Sequence, residues 1–557
     1  MNFNEITTRA ELADFLGIPA KKLTYVLYVK HTDSFYETFT IPKKNGEPRT
    51  IHSPKKELKN IQLKLLTALS THIKQYNLVN SVNENIAHAF SKGKSIFTNA
   101  SHHTNKLYIL NVDLKDFFEH FHFGRVRGFF HKNKMFCLPI EVATIIAQLT
   151  CYKGSLPQGA PTSPIITNLI CNILDMHIIK VAKKYGLHYT RYADDMTFST
   201  NRKDFKEKQV AFLNELKAEV ESFKFEINEQ KTRLIYNSSR QEVTGLVVNK
   251  KVNVSRNYYR ETRAMAHRLY TTGAFQISDS DGTINQLDGR FSFINQADKY
   301  NNALNIMLNR EKPHRPEQLK YRERDYQYFL FYKYFYANTK PLIVTEGKTD
   351  IIYLKSALKK YYQEYPLLVK KENDRFEFNV SFLNRTKRLS YFLGITQDGA
   401  DAMKNIFNLY TGKHSFPALE KYFSSISNNS PSNPVLLIFD NEQKTKRPLK
   451  VFLSHIQYKE PLLYDKPYNV LSNLFVITNP LVNNLQECDI EGLFDEATLS
   501  HTINGKSFCK DDDYDKSKYY GKSYFANYVS SNYDSIDFEK FKPFLDTINS
   551  TIENYKK

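Results

Sequence analysis

Polar and apolar side chains alternate in some stretches of this chain and recur every three or four residues in others, and the two periods predict different elements. The run HYTRYADDMTFST alternates on both sides of Ala193-Asp194-Asp195, which predicts a hairpin with the acids at its tip. FTIPKKNGEPRTIHSP predicts a strand, an Asn-Gly turn and a second strand. LYILNVDL is an apolar β-run of the kind buried at a sheet centre; it ends near Asp113, with Asp116 three residues on. Helical spacing over residues 7–30 breaks near Gly17-Ile18-Pro19 into two short helices, and ELKNIQLKLLTALSTHI predicts an amphipathic helix. GSLPQGAPTSP, a loop fixed by Gly154, Pro157, Gly159, Pro161 and Pro164, runs into a long apolar helix. FEINEQKTRLIY, QEVTGLVVN and a basic, aromatic helical region, RNYYRETRAMAHRLY, come after the acidic hairpin.

Beyond residue 310 the pattern changes. EKPHRPEQLKYRERDYQYFLFYKYFYANTKP begins as a Pro-flanked basic linker and becomes an aromatic helix expected to pack between two domains. PLIVTEGKTDIIYLKSALKKYY then reads as a buried strand, a Glu-Gly turn and a helix, and NPVLLIFDNEQKTK as a second buried strand ending in Asp440-Asn441-Glu442. Strands that carry acids at their C-terminal ends, separated by helices, predict a parallel α/β sheet with a site along that edge.

Composition narrows the function classes. A chain of 557 residues accommodates two or three domains. No apolar run is expected to reach the roughly 18 residues of a membrane span, and the first residues carry acids where a signal peptide needs bases. Cys137, Cys151, Cys171, Cys488 and Cys509 lie apart without CxxC spacing, which points away from a disulfide frame or zinc site and toward a reducing cytoplasm. The net charge of +19 is concentrated. Residues 341–557 hold 28 basic against 27 acidic side chains, leaving 50 against 32, about +18, on the first 340. So confined an excess predicts a polyanionic partner for the first portion, nucleic acid above all, and modest intrinsic affinity for nucleic acid in the second.

The candidate chemistry lies in the acids. Adjacent carboxylates at a bend repel one another and are tolerable when a cation sits between them. Asp113, at a strand end, is either a metal ligand or the N-cap of the next helix. Phe118, five residues on, is placed to face whatever binds there. Lys43, Lys44 and Arg49 line the first hairpin, either as a grip on triphosphate or template phosphates or as a solvated surface. Glu346, Asp350, Asp440 and Glu442 could converge on Mg²⁺ through hard oxygen ligands, or simply cap helices.

Taken in order, IPKKNGEPRTI, DLKDFF, LPQGAPTSP, YADD, the Lys231 stretch and VTG resemble the motifs of a reverse transcriptase over roughly residues 20–330. Asn99-Ala100-Ser101-His102-His103 and Val243-Thr244-Gly245 match the NAxxH and VTG patterns of retron reverse transcriptases. The resemblance implies an α+β right-hand polymerase: fingers and palm over 1–235, an RNA-binding thumb over 236–310 and a linker helix over 311–340. It also implies a two-Mg²⁺ site on Asp113, Asp194 and Asp195, with ions about 3.5–4 Å apart for in-line phosphoryl transfer. Phe118 falls at the steric-gate position that selects dNTPs, Gln158 and Gly159 border the incoming base pair, and Lys231 is the cation near the triphosphate and a candidate general acid. Asn99, His103, Val243, Thr244 and Gly245 are candidates for binding RNA or for local packing. The implied partners are dNTPs and a structured noncoding RNA, template and primer for synthesis from a 2′-OH, with branched RNA-linked DNA (msDNA) as product.

EGKTD followed by DNE resembles a Toprim domain, an α/β fold with a mainly parallel sheet, here over 341–557. The resemblance implies Glu346 as general base or acid and one or two Mg²⁺ on Glu346, Asp350, Asp440 and Glu442; the last stands where the family carries Asp. Glu487, Asp489 and Glu491, with Lys518 and Lys522, resemble the later elements of OLD-type Toprim nucleases. The two parts together look like a retron reverse transcriptase fused to its own nuclease effector, acting on a nucleic-acid target in antiphage defence. The alternatives are another bacterial reverse transcriptase, or a Toprim part that is a non-catalytic DNA-binding or oligomerisation scaffold; a homo-oligomer stays open.

Overall fold

The computed structural model describes residues 2–42, 46–80, 86–308, 319–396, 401–442, 444, 446–458, 466–482, 486–511 and 513–556. The chain divides into two compact units, Met1–Ser255 and Arg256–Lys557.

In the first unit two short helices, Arg9–Phe15 and Ala20–Thr24, flank the Gly17 break, as the periodicity predicts. Strands β1 (Tyr36–Pro42) and β2 (Pro48–Pro54) pair antiparallel from Tyr36↔Pro54 to Pro42↔Pro48. Helix α1 (Lys56–Asn80) follows, then the short α2 (Ile96–Ser101), whose capping box is built on Ser95 and Thr98. The centre of the unit is a four-stranded antiparallel sheet in the order β4 (His188–Tyr192), β5 (Asp195–Thr200), β3 (Tyr108–Leu114), β6 (Ile227–Tyr236). β3 is buried along nearly its whole length, as its apolar run requires. Helices α3 (Ser163–Lys184) and α4 (Phe205–Ser222) bury Ile166, Ile170, Leu174, Ile178, Phe212, Leu216 and Val220 in the same core as the sheet residues Leu110, Val112, Met196 and Phe198. Contrary to the sequence expectation, α3 is long and apolar enough to cross a membrane by length and composition. Half of that apolar window is buried within the protein, and its buried face carries Asp175. The unit closes with the small hairpin β7 (Glu242–Val243) and β8 (Leu246–Val247).

The second unit begins with helices α5 (Arg256–Thr272) and α6 (Ile284–Met307), followed by the aromatic α7 (Tyr321–Phe331), which runs on into a wider turn over Tyr332–Tyr336. Tyr326, Phe329, Leu330, Phe331, Tyr332, Phe335 and Tyr336 are buried, with Leu269, Tyr270, Leu287 and Phe291 of α5 and α6 and with Leu389, Phe392, Tyr410 and Phe423 farther on. That shared core places α5 and α6 in one unit with the α/β part, and the unit begins well before the 311–340 stretch read as a linker; residues 309–318 lie outside the described residues. A five-stranded sheet comes next: β9 (Leu342–Val344), β10 (Ser381–Phe382), β11 (Val435–Phe439), β12 (Tyr468–Leu471) and β13 (Leu474–Thr478), in the spatial order β10-β9-β11-β13-β12. The first four in that order are parallel and β12 is antiparallel to β13. Val435, Leu437 and Phe439 of β11 face one core cluster while Leu436 and Ile438 face another. A sheet covered on both faces needs such continuous apolar strands. Helices α8 (Lys348–Lys360), α9 (Lys522–Ser531) and α10 (Lys542–Lys556) belong to the second of those clusters.

Candidate active site

In the first unit the acids converge at one end of the central sheet. β4 and β5 pair up to Tyr192↔Asp195, so Ala193 and Asp194 form a two-residue turn, entered with Ala193 at φ 57°. Asp113 of β3 is the register partner of Asp195, and the Leu114 N–H donates to the Asp194 carbonyl at 3.1 Å. Asp113, distant in sequence, is therefore brought beside the adjacent pair Asp194 and Asp195 by the ladder and this bond. β6 pairs Arg233 with Asn111 and Asn228 with Asp113, so residues 229–232 form an excursion from the ladder. Lys231 lies on it and reaches Asp113 Oδ1 at 2.9 Å; its side chain is 62% exposed against 11% for Asp113.

The electrostatics fit a site short of positive charge. Loss of water, then repulsion from Asp194 and Asp113, pushes Asp195 up to about 7; it lies exposed at the hairpin tip, where solvent screens part of that repulsion. Burial and Asp113 raise Asp194 as well, opposed by Lys231 and Arg49. Its bond to Asp113 holds the Lys231 ammonium above its usual range. Among the described residues no three His, Cys, Asp or Glu side chains stand ready as a metal cage. Lys231 occupies an oxygen of Asp113, so the carboxylates meet as a charge-crowded set of hard donors whose counter-ion is an ammonium.

Arg49 lies on β2, near enough to favour the ionised form of Asp194; Lys43 and Lys44 lie outside the described residues. Phe118 is half-buried on the turn after β3, edge-on to Phe117 with ring centroids 5.6 Å apart. The Gln158 carbonyl accepts from the His52 N–H of β2 at 2.8 Å. Gly159, at φ 124°, runs so close to β2 that a Cβ there would lie 2.7 Å from the His52 carbonyl oxygen. Asn99 and His103, candidates for RNA contact, are fully buried. His103 hydrogen-bonds Ser199 Oγ through Nδ1 and Thr190 Oγ1 through Nε2, both at 2.7 Å, while the Thr190 hydroxyl donates to Asn99 Oδ1 at 2.6 Å. With its proton committed to Asn99, Thr190 accepts from His103 Nε2–H, and Nδ1 accepts from Ser199. Burial, with His102 and His188 nearby, presses this imidazole down to about 3, so it is neutral. These two side chains are therefore engaged in internal bonds that hold β4 and β5 from behind, and they offer no surface for RNA. Val243 is buried and Gly245 exposed on the β7–β8 turn, and Thr244 Oγ1 donates to the Ile96 carbonyl at the start of α2. The two motifs thus pack on each other.

Sequence reasoning missed Arg191 and Asp175. Both are almost fully buried and form a bidentate pair, with Arg191 Nε and Nη2 each 2.8 Å from an Asp175 oxygen. The available signal was weak: Asp175 is the one acid on the apolar helix α3, and Arg191 is one polar residue in the alternating strand HYTRY.

In the second unit, Glu346 follows β9 and Asp440 follows β11, on adjacent parallel strands, and the Asp440 N–H donates to Glu346 Oε1 at 3.0 Å. Asp350, in the first turn of α8, accepts from the Gly347 N–H at 2.8 Å. Burial, with Asp350 and Glu442 nearby, raises Glu346 to about 8; burial, with Glu491 nearby, raises Asp350 to about 6; Asp440 is raised by burial and by Glu346. Asp440 Oδ1 accepts from Asn479 Nδ2 and the Ile490 N–H. The later acids come alongside because Asn441 bridges Cys488. Most already have a cation: Glu442 pairs with Arg447 at 3.4 Å, Glu487 with Lys444 at 2.9 Å, Asp489 with Lys510 at 2.9 Å and the buried Glu491 with Lys522 at 3.2 Å. Lys518 is exposed.

A model of the family described as reverse transcriptase (RNA-dependent DNA polymerase) matches residues 41–254, inside the first unit. The retron Mx162 reverse transcriptase of Myxococcus xanthus is 35% identical over 327 residues, 53% of this chain and 64% of that protein. The retron Ec86 reverse transcriptase of Escherichia coli is 35% identical over 266 residues, 46% of this chain and 78% of that protein. The retron Mx65 reverse transcriptase of M. xanthus is 34% identical over 252 residues, 42% of this chain and 56% of that protein. The chain thus spans between about half and four fifths of these relatives, and with a polymerase-type acidic cluster in its matched portion it belongs to the retron reverse transcriptases.

Proposed function

We propose that the first unit is a retron RNA-directed DNA polymerase that copies a structured noncoding RNA, both template and primer, into branched RNA-linked DNA. The observation that supports this reading is the pairing of Asp113 with Asp195 at one register position of the sheet, with Asp194 in the turn beside them and its carbonyl bonded by the Leu114 N–H. All three offer hard oxygen donors, and their mutual repulsion is what a divalent cation relieves, so Mg²⁺ fits this donor set. Bound there, Mg²⁺ supplies Lewis acidity at the attacking hydroxyl and charge at the leaving pyrophosphate. Lys231, released from Asp113, is the proton donor to the leaving group. Arg49 holds the triphosphate, a role the sequence also suggests for Lys43 and Lys44. Phe118 meets the sugar and excludes a 2′-OH, and Gln158-Gly159 forms the floor beneath the base pair. In the second unit Arg256, Arg260, His267 and Arg268 are exposed along α5, a stripe suited to the phosphates of the RNA. Changing Asp194→Asn together with Asp195→Asn should abolish primer extension and leave RNA binding in place; retained synthesis overturns the assignment.

We propose further that the second unit carries a Mg²⁺-dependent Toprim nuclease effector that acts in antiphage defence. The hydrogen bond from Asp440 to Glu346 across adjacent parallel strand ends, with Asp350 beside them, supports it. Glu346, kept protonated near neutral pH, is suited to proton transfer, and Asp350, Asp440 and Glu442 would hold the metal. The cation pairs on Glu442, Asp489 and Glu491 favour the other reading, a non-catalytic scaffold. Glu346→Ala separates the two: lost defence with DNA synthesis intact supports the nuclease, and unchanged defence supports the scaffold.

A further inference from the structure

The acidic turn is held at both ends of one residue. On one side of Asp194, the Leu114 N–H of β3 grips its carbonyl at 3.1 Å. On the other side, Arg191 Nη1 donates to the Ala193 carbonyl at 3.0 Å, fixing the peptide plane that joins Ala193 to Asp194. That plane needs fixing, because Ala193 is held in the left-handed region at φ 57°, which a residue with a Cβ rarely adopts.

Arg191 is itself immobile. Nε and Nη2 engage both oxygens of Asp175 on α3, Nη1 also meets Asn168 Oδ1 at 3.3 Å on the same face of α3 toward its N-terminus, and the Tyr189 hydroxyl completes the shell of Asp175 at 2.8 Å. Its backbone is clamped as well, its N–H donating to the Ile86 carbonyl at 3.0 Å and its carbonyl accepting from His88 N–H at 2.9 Å. Asn168 Nδ2 closes the circuit on the Ala89 carbonyl at 2.7 Å. A buried ion pair is no efficient source of stability, since well-packed apolar residues replace one with little loss. What apolar residues cannot do is donate to the Ala193 carbonyl.

We propose that Arg191, oriented by Asp175, is a positioning residue that sets the Ala193–Asp194 peptide and with it the place of the Asp194 and Asp195 carboxylates relative to Asp113. A guanidinium is required because its fork spans a carboxylate and a carbonyl at once, which an ammonium cannot. The inference rests on the polymerase reading of those acids.

The test uses the full chain with oligo(dT)-primed poly(rA), dTTP and Mg²⁺. Arg191→Met combined with Asp175→Asn removes both charges while leaving Tyr189 an acceptor, so the fold should hold, with a melting temperature near that of the parent. The expected result is a kcat about 100-fold lower, the loss typical of an ångström-scale misplacement, with the dNTP KM little changed. The Mg²⁺-dependent rise in melting temperature of the enzyme–template complex should shrink in parallel. If kcat and that rise match the parent, the pair is only internal packing and the proposal is overturned. Should the double variant not fold, Arg191→Lys carries the test: it keeps a charge on Asp175 but not the bond to Ala193, so the same kcat loss is expected and parental kcat overturns the proposal. Asp194→Asn with Asp195→Asn, run alongside, separates the two failures. Synthesis surviving there removes the polymerase reading itself, whereas synthesis lost there but intact in the Arg191 variants removes only the brace.

Discussion

Gly159→Ala probes how the LPQG loop and the first hairpin are fitted together. Two costs are separable. At φ 124° an alanine adopts a backbone conformation that favours glycine, a strain of about 1–3 kcal/mol, offset by about 0.4–1 kcal/mol from the reduced freedom of the unfolded chain. The new methyl also lies 2.7 Å from the His52 carbonyl oxygen and 2.9 Å from Ile51 Cγ2, where ordinary contact begins at 3.4 Å, so loop and strand must part by about 0.7 Å. His52 N–H is bonded to the Gln158 carbonyl, and Arg49 lies three residues along the same strand, so the displacement is passed toward the side chain that faces Asp194. A net destabilisation of about 2 kcal/mol predicts a melting temperature lower by about 4–8 °C for a unit of this size. Misplacement approaching 1 Å predicts kcat/KM for dNTP lower by between about 10- and 100-fold. Gly154→Ala is the internal control: it too has positive φ, at 87°, but nothing lies within 4 Å of its Cβ. It should bear the conformational cost alone and leave dNTP kinetics near parental values. Thermal melts and steady-state primer extension on both variants decide the matter. If the two are kinetically alike, the close approach of loop to hairpin has no bearing on substrate, and the predicted coupling is refuted.

The same geometry carries further expectations. His103→Ala should lower stability by about 2–4 kcal/mol, through a cavity and two hydroxyls left short of a partner, while RNA affinity of the folded fraction is unchanged; a selective loss of RNA binding at full stability would contradict its internal role. Replacing Arg256, Arg260 and Arg268 together by alanine should reduce the slope of log binding constant against log salt by about 2, at about 0.7 per phosphate contact on single strands; an unchanged slope in filter-binding titrations removes α5 from the interface. For Glu346 the sign comes from proton counting. The unfolded carboxyl ionises near 4.5 and the folded one near 8, so between these values the folded state holds the extra proton and stability falls as pH rises. In EDTA, Glu346→Gln should flatten that decline and raise the melting temperature at pH 8; a parental pH profile in the variant would show that Glu346 is not the group responsible.

Much of this was legible in the sequence, for identifiable reasons. Alternation around Tyr192-Ala193-Asp194-Asp195 predicts a hairpin and the apolar run before Asp113 a buried strand, and both elements are present in one sheet. The runs before Glu346 and Asp440 likewise suggested a parallel α/β sheet, and their strands are adjacent and parallel. What was not legible depends on which way side chains point and on pairings across distance. Nothing local tells whether Asn99 and His103 face inward or outward, because a polar residue on a six-residue helix, or in the turn just after it, satisfies either pattern. Arg191 and Asp175 read separately as ordinary charges until the fold buries both. The extent of the second unit was hidden for a related reason: the aromatic α7 contributes to one core with α5 and α6 as well as with the helices beyond, so no break in composition marks the boundary.

The four-residue excursion in β6 has a thermodynamic corollary. Because Lys231 lies where the β6 register is irregular, between the Arg233 and Asn228 pairings, its ammonium can withdraw from Asp113 without breaking either of those rungs. What is surrendered is one contact, hydrated on the lysine side and buried on the Asp113 side. On the Mg²⁺ reading proposed above, a divalent ion held by these acids would displace that ammonium, and the strand pairing would stay as it is.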